Sequence, residues 1–366
     1  MKTWTPLTLN SSGDPPSFDD VMLVPKYSTI SSRLDPDIQT KLGPTTLRIP
    51  IISSPMDTVT GHEMALSLGR RGAMGIIHRF MSPGEQSGEI RHLVDYNGVK
   101  ADDCYVPIAV AIGIGKNEKQ RFRTIYSEYQ KDIDWVAIDV ANGYSHIMRD
   151  MIDWVKNEVS GDIPLLVGNV ATGEGFAFLA DSGANAIRVG IGGGSICKTR
   201  IMTGIGIPTL ASVIDCHKVR LSDSNFSNVS IIADGGIRHP ADLVKSIAAG
   251  ADSVMAGRIF AGTLESPGEI AVIGGKSMKV YRGMASKEVQ DDRRGGLRPG
   301  TCAEGVSTYV PLKGKSYYIL EEFCGGLRSA MTYTNSSNIE ELRENACFIR
   351  LTSSALEESH AFGTKQ

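Results

Sequence analysis

The chain has 366 residues, 41% hydrophobic and 22% charged, with a formal net charge of −3. That composition suits a globular protein with a large core, and the weak negative charge excludes global attraction to nucleic acid or an anionic membrane. An anionic ligand therefore needs a local site. Six cysteines (Cys104, Cys197, Cys216, Cys302, Cys324 and Cys347) form no CxxC pair and no metal-ligand spacing with the seven histidines, a pattern of free thiols in a reducing compartment. The first residues lack the basic start and apolar stretch of a secretory signal, and no 18-residue apolar run occurs, so the sequence predicts a cytoplasmic protein that neither leaves the cell nor spans a membrane.

In chain order, "SFDDVMLVPKYSTISSR" (17–33) is expected to cover part of the molecular surface. Eight short apolar, β-branched runs follow, at 50–56, 74–79, 106–113, 135–141, 164–170, 186–191, 230–234 and 253–257. Their starts lie about 22 to 44 residues apart, room for a strand, a loop and a crossover helix. Between them "GHEMALSLGRRG", "EGFAFLADSGA" and "PADLVKSIAAGA" carry apolar residues at helical spacing and end near glycine. Eight such units predict an α/β fold, a (β/α)₈ TIM barrel forming a single catalytic domain over 1–366. After the eighth run, "VYRGMASKEVQDDRRGGLRPGTCAEGVSTYVP" is rich in glycine and charge and poor in apolar periodicity; it reads as a mobile flap at about 281–310. "SYYILEEFCGGLRSAMTY" and "NIEELRENACFIRLTSS" read as a closing helical stretch.

In barrel enzymes the site lies at the C-terminal face, in the loops after the strands. Here those loops are rich in glycine and small polar residues. "ADGG" (Asp234, Gly235, Gly236) and "AGR" (Gly257, Arg258) follow strands seven and eight, where backbone N–H groups bind phosphate; with Ser195 they form a candidate cradle, and Asp234 suits ribose hydroxyls. The competing reading is glycines needed only for tight turns. Cys197 sits in "GIGGGSICKT" after strand six. A lone cysteine is ordinarily inert and buried, but a glycine-rich turn supplies oriented N–H groups, and Thr199 offers a hydroxyl two residues on. Asp139 ends strand four, where an unpaired carboxylate would be costly in a purely structural role. Glu304, in the flap, reads by sequence as a solvated charge, as does "DDRRGGLR". The glycines of "GIGGGS" are no Rossmann signature inside a barrel unit.

"SSPMDTVT", "GIIHRFMSPGEQ", "GNVATGEG", "VGIGGGSICKTR", "IADGGIRHPADLVKSIAAGADSVMAG", "YRGM", "AEGV" and "GGLRSAMTY" together resemble the IMP dehydrogenase/GMP reductase family over practically the whole chain. The resemblance implies that Cys197 attacks purine C2 to form a covalent thioimidate. It implies phosphate and ribose contacts from Ser54, Ser195, Asp234, Gly235, Gly236, Gly257 and Tyr281, and a base near Met56, Gly283, Met284 and Glu304. Thr199 and Glu304 are implied as acid and base. Asp139 would face the nicotinamide ribose of the cofactor, with Val140, Ala141 and Asn142 in the same loop. The carbonyls of Gly192, Gly194 and Cys197 are implied to hold a monovalent cation, K⁺. Arg258 stands where dehydrogenases of the family have serine and reductases often glycine. The CBS pair that dehydrogenases usually carry between strands two and three is absent, since only 81–105 lies there.

"DVANGY", Thr203–Gly204 and a short flap without the dehydrogenase's Arg-Tyr pair, where Arg293 and Arg294 stand instead, resemble the reductase; "SSPMDTVT", "YRGM", "GGLRSAMTY" and "FIRLTSSALEESH" look like bacterial dehydrogenases. The expectation is an NADPH-dependent GMP reductase acting on a GMP/IMP-type nucleotide, as a homotetramer or octamer. The alternatives are an NAD-dependent IMP dehydrogenase without CBS domains and a non-catalytic nucleotide-binding barrel. An FMN-dependent barrel would share the phosphate loops but leave Cys197 unexplained.

Overall fold

The computed structural model describes residues 2–99, 104–297 and 299–359. Eight parallel strands close into a barrel: β1 (Ile51–Ser53), β2 (Met74–Ile77), β3 (Ala109–Ile112), β4 (Trp135–Asp139), β5 (Leu165–Val170), β6 (Ala186–Val189), β7 (Ser230–Asp234) and β8 (Ser253–Ala256), with β8 pairing back onto β1. Each lies within one of the eight apolar runs. The strands read as near-continuous apolar stretches because both faces are covered, one by the barrel interior and one by helices.

Alternate residues build two cores. Ile52, Met74, Ile76, Ala111, Leu166 and Ile232 belong to a cluster separate from the one that packs against the helices. Leu42 and Leu47 join that inner cluster from a hairpin, Thr40–Leu42 with Thr45–Leu47, which plugs the N-terminal end of the barrel. The buried Trp135 indole donates to Thr45 Oγ1 at 2.9 Å and ties the plug to β4.

The crossover helices are α1 (His62–Gly69), α2 (Pro83–Val99), α3 (Lys116–Tyr129), α4 (His146–Trp154), α5 (Gly173–Asp181), α6 (Thr209–Ser222) and α7 (Pro240–Ala248), and α8 (Ser316–Tyr333) packs against α7 and α1 to complete the ring. Ser145 and Thr172 cap α4 and α5 with their hydroxyls, each accepting an N–H of the first turn.

Two expectations change. The flap at 281–310 carries regular structure: Lys287–Arg294 is a helix capped by Ser286, and the flap leaves and re-enters an antiparallel sheet of Ala271–Ile273, Lys276–Arg282 and Ser307–Pro311. Its strands lie largely at the surface, so their signal is β alternation rather than an apolar run. The last segment is not helical throughout. Ile339–Asn345 is a helix, but Phe348–Arg350 is a strand antiparallel to Val21–Leu23, and this pairing fastens the N-terminal segment to the barrel as expected for a surface cover.

Candidate active site

At the C-terminal face the strand-end loops enclose one cavity of about 740 Å³. One end of it is formed by the loops after β6, β7 and β8. Gly235 has φ +91°, and a Cβ there would stand 3.0 Å from the backbone of Gly193 and Gly194, so only glycine lets these two loops meet. A Cβ on Gly257 would touch Met56 Sδ at 3.0 Å and the Tyr281 hydroxyl at 3.2 Å. Tyr281, from the flap sheet, lies 3.4 Å from Ser195 Oγ, and burial pushes its phenol pKa up. Ser54 and Gly236 also line this end, and Gly283 and Met284 follow Tyr281 along the wall.

The flap's return strand docks on the cysteine loop by backbone pairing: Lys198 N–H donates to Glu304 O at 2.7 Å, and Val306 N–H to Ile196 O at 3.1 Å. This register brings Glu304 beside Thr199. Cys197 Sγ donates to Thr199 Oγ1 at 3.1 Å, and Thr199 Oγ1 donates to Glu304 Oε2 at 2.8 Å. Glu304 is thus no solvated charge but the end of a thiol–hydroxyl–carboxylate relay. Lys198 contributes its backbone only; its side chain is exposed, with no partner among the described residues.

Sequence reasoning missed the residue that organises the opposite wall. Arg188, at the end of β6, is 7% exposed and donates through Nη1 to Asp139 Oδ1 on β4, and through Nη2 to Asp234 Oδ2 on β7 at 2.9 Å. Burial opposes its charge, but the two carboxylates overcome this and raise its pKa further. Asn169 on β5 donates to Asp234 Oδ2 at 2.7 Å and to Gly190 O at 2.8 Å. Asp139 is therefore not the unpaired carboxylate expected from its position; Arg79 also approaches it, at 3.9 Å. The available signal was a charged residue inside a buried strand, which demands a partner.

Past Asp139 the cavity continues along Val140, Ala141, Arg79, Phe80 and Met81. Asn142 is outside it: the residue is exposed, and its Oδ1 accepts the Tyr144 N–H at 3.1 Å, a turn-stabilising contact. The other sequence-nominated positions, including Gly192, Gly194 and Arg258, line the cavity. The side chains of Arg293 and Arg294 lie outside those described. Among the described residues no His, Cys, Asp and Glu cluster suits a metal ion, and no helix is long and apolar enough to cross a membrane.

Residues 16–362 match the family model described as IMP dehydrogenase / GMP reductase domain. Among curated proteins, inosine-5'-monophosphate dehydrogenase of Cryptosporidium parvum is 36% identical, covering 94% of this chain and 94% of its own length. GMP reductase of Caenorhabditis elegans is 33% identical, covering 92% of this chain and 91% of its own. Among solved structures, GMP reductase from Trypanosoma brucei in complex with guanosine 5'-monophosphate superposes with a TM-score of 0.86 at 25% identity, over 98% of this chain and 100% of that one.

Proposed function

This chain belongs to the IMP dehydrogenase/GMP reductase family of nicotinamide-dependent oxidoreductases, and on that premise we propose that it reduces GMP to IMP and ammonia. The observation that carries the reading is the relay from Cys197 through Thr199 to Glu304, which provides both a nucleophile and a proton path.

In this reading the phosphate sits on Ser195, Tyr281 and the glycine turns after β7 and β8, with Ser54 beside it. Asp234, anchored through Oδ2 by Arg188 and Asn169, keeps Oδ1 for the ribose hydroxyls. Met56 and Met284 flank the base, and Gly283 lets it approach the flap. As Cys197 Sγ bonds to C2, its proton passes through Thr199 Oγ1 to Glu304. The same path returns a proton to the 2-amino group, the C2–N bond breaks, ammonia leaves and a thioimidate on Cys197 remains. When bound, the reduced nicotinamide supplies the hydride that ends on C2. The C–S bond then breaks, with its electron pair returning to sulfur. The balance is GMP, NADPH and two protons giving IMP, ammonium and NADP⁺.

The cavity extension along Asp139, Val140 and Ala141 fits a nicotinamide ribose, with Asp139 held in place by Arg188 and Arg79. The carbonyls of Gly192, Gly194 and Cys197 are uncharged hard oxygens, a donor type suited to K⁺, and ligands from elsewhere would complete such a site. We further propose a single catalytic domain without a CBS module, assembled as a homotetramer or octamer in the cytoplasm.

A second reading, NAD-dependent oxidation of IMP, is favoured by the dehydrogenase relatives at 36% and 34% identity. It requires a base that activates water against the same thioimidate. Absorbance in the reduced-nicotinamide band decides between them. Loss of signal with GMP and NADPH, releasing IMP and ammonia, establishes the reductase. Gain of signal only with IMP, NAD and potassium, releasing XMP, replaces it with the dehydrogenase. Nucleotide binding with neither reaction supports the non-catalytic barrel.

A further inference from the structure

We propose that Arg282 is a positioning residue for the purine ring: its guanidinium ties together three wall segments around the base, so that their spacing, and the approach of C2 to Cys197, depend on it. The proposal rests on the reading that places the base between Met56 and Met284.

The three segments come from distant parts of the chain. Met56 stands in the loop after β1, Gly283 and Met284 follow the flap strand Lys276–Arg282, and Val289 and Gln290 belong to the flap helix Lys287–Arg294; all five line the cavity. Behind that wall the segments meet at one guanidinium. Arg282 Nε and Nη2 donate to Asp57 Oδ2 at 3.0 and 2.7 Å, and Nη1 donates to Asp292 Oδ2 at 2.7 Å. The Arg282 N–H adds a bond to Thr58 Oγ1 at 3.2 Å. Asp57, Arg282 and Asp292 stand outside the cavity lining, so they act on a ligand through the wall they hold.

Each bond attaches next to a residue that faces the base. Asp57 directly follows Met56, whose carbonyl accepts the N–H groups of Val59 and Thr60 at 2.9 and 3.0 Å, so the carboxylate belongs to a coiled turn that moves with it. On the other side the Gly283 N–H donates to Val306 O at 2.9 Å, which joins the residue after Arg282 to the return strand beside the cysteine loop. The Asp57 side chain is 5% exposed and its Oδ1 has no hydrogen-bond partner among the described residues, so compensation of this buried charge falls to Arg282. Asp292 is 55% exposed and makes the weaker tie. Burial opposes the Arg282 charge, but the bonds to the two carboxylates outweigh it and raise its pKa. A planar guanidinium reaches two carboxylates through separate N–H groups, which a single ammonium does not. Displacing the ring from its attack position costs turnover steeply, whereas contacts to phosphate and ribose keep the nucleotide bound.

Turnover, calorimetric nucleotide binding and thermal melting of the wild type, Arg282→Gln, Arg282→Lys and Asp292→Asn test this. Turnover is counted per calorimetric binding site, so a fraction of unfolded chains does not enter it. Arg282→Gln should lower kcat about 30-fold, with Kd for GMP and IMP within about fivefold of the wild type. Arg282→Lys should recover part of the loss, to about fivefold below the wild type, because its ammonium reaches Asp57 without also spanning to Asp292. Asp292→Asn, at an exposed carboxylate, should lower kcat about twofold with unchanged Tm. An unchanged kcat per site in Arg282→Gln, or a loss of nucleotide affinity with kcat kept, overturns the proposal. Where Arg282→Gln fails to fold, unchanged kcat in both Arg282→Lys and Asp292→Asn overturns it. A wild type that binds neither GMP nor IMP, or binds them without turnover, overturns the underlying enzyme reading and the proposal with it.

Discussion

Two arginine–aspartate networks are buried in this barrel, one at each end. At the mouth Arg188 bridges two carboxylates, Asp139 and Asp234, and Arg79 approaches Asp139 at 3.9 Å. At the base one carboxylate is shared instead: Asp252, just before β8, takes Arg220 at 2.5 Å and Arg343 at 2.7 Å, and accepts the Ile231 N–H at 2.7 Å. The mouth network borders the cavity and places its acids on both sides of the cysteine loop. The base network ties α6, β7, β8 and the helix Ile339–Asn345 together, far from any strand-end loop at the mouth. The same ionic chemistry thus serves the site at one end and cohesion at the other, and position in the barrel decides which.

The comparison can be broken at several points. Cys197→Ser sets the upper bound: turnover should fall about 10⁵-fold with unchanged Tm and nucleotide binding within a few-fold, because the nucleophile is lost and no packing is. A variant that keeps turnover would remove the mouth network's claim to function. Next in size, Arg188→Gln should lower kcat/KM about 100-fold, as Asp234 loses the cation that aims it and Asp139 keeps only the more distant Arg79. Its thermal destabilisation should be the milder of the two networks, because water in the cavity can solvate Asp139 and Asp234.

Asp252→Asn should show the reverse. It strands two guanidiniums at the base and should cost about 3–5 kcal/mol of stability, while kcat of the folded enzyme stays within about twofold. Thermal melts and initial rates on the same preparations separate the two cases; a catalytic loss in Asp252→Asn matching that of Arg188→Gln would dissolve the distinction.

The smallest effect is in pH. Burial pushes the Asp252 pKa up, but Arg220, Arg343 and the Ile231 N–H outweigh it and hold the carboxyl below its ordinary value. With the folded pKa below the unfolded one, this contribution is complete above about pH 4 and is lost as pH falls through the folded value. Acid unfolding of the wild type should therefore be steeper below about pH 4 than that of Asp252→Asn, which lacks the titrating group.

The barrel was legible because strands covered on both faces must be apolar throughout, and eight such runs at crossover spacing leave few other folds. The glycine turn after β7 was legible too, since Gly235 adopts a backbone conformation and a close approach that other residues resist. The plug at Thr40–Leu47 was not, because its three-residue strands are too short to carry a periodicity. "CFIRL" was read as the end of a helix, and its strand partner lies at Val21–Leu23, at the other end of the chain. The sequence nominated Asp139, Asp234 and Glu304 singly, without their partners: Glu304 meets Thr199 across 105 positions, and Arg188 meets Asp139 and Asp234 across 49 and 46.

By itself, then, the sequence determined the strands, the glycine turns and the place of Cys197 in its glycine-rich loop, because each depends on local backbone preference and on apolar runs that any window of the chain displays. Only the tertiary structure decided which charges share a wall and which carboxylate is linked to the thiol through Thr199. Those pairings arise when the barrel closes and the flap docks, bringing side chains from distant strands within hydrogen-bond reach, and the electrostatics of a buried group depend on that reach far more steeply than on its neighbours in sequence.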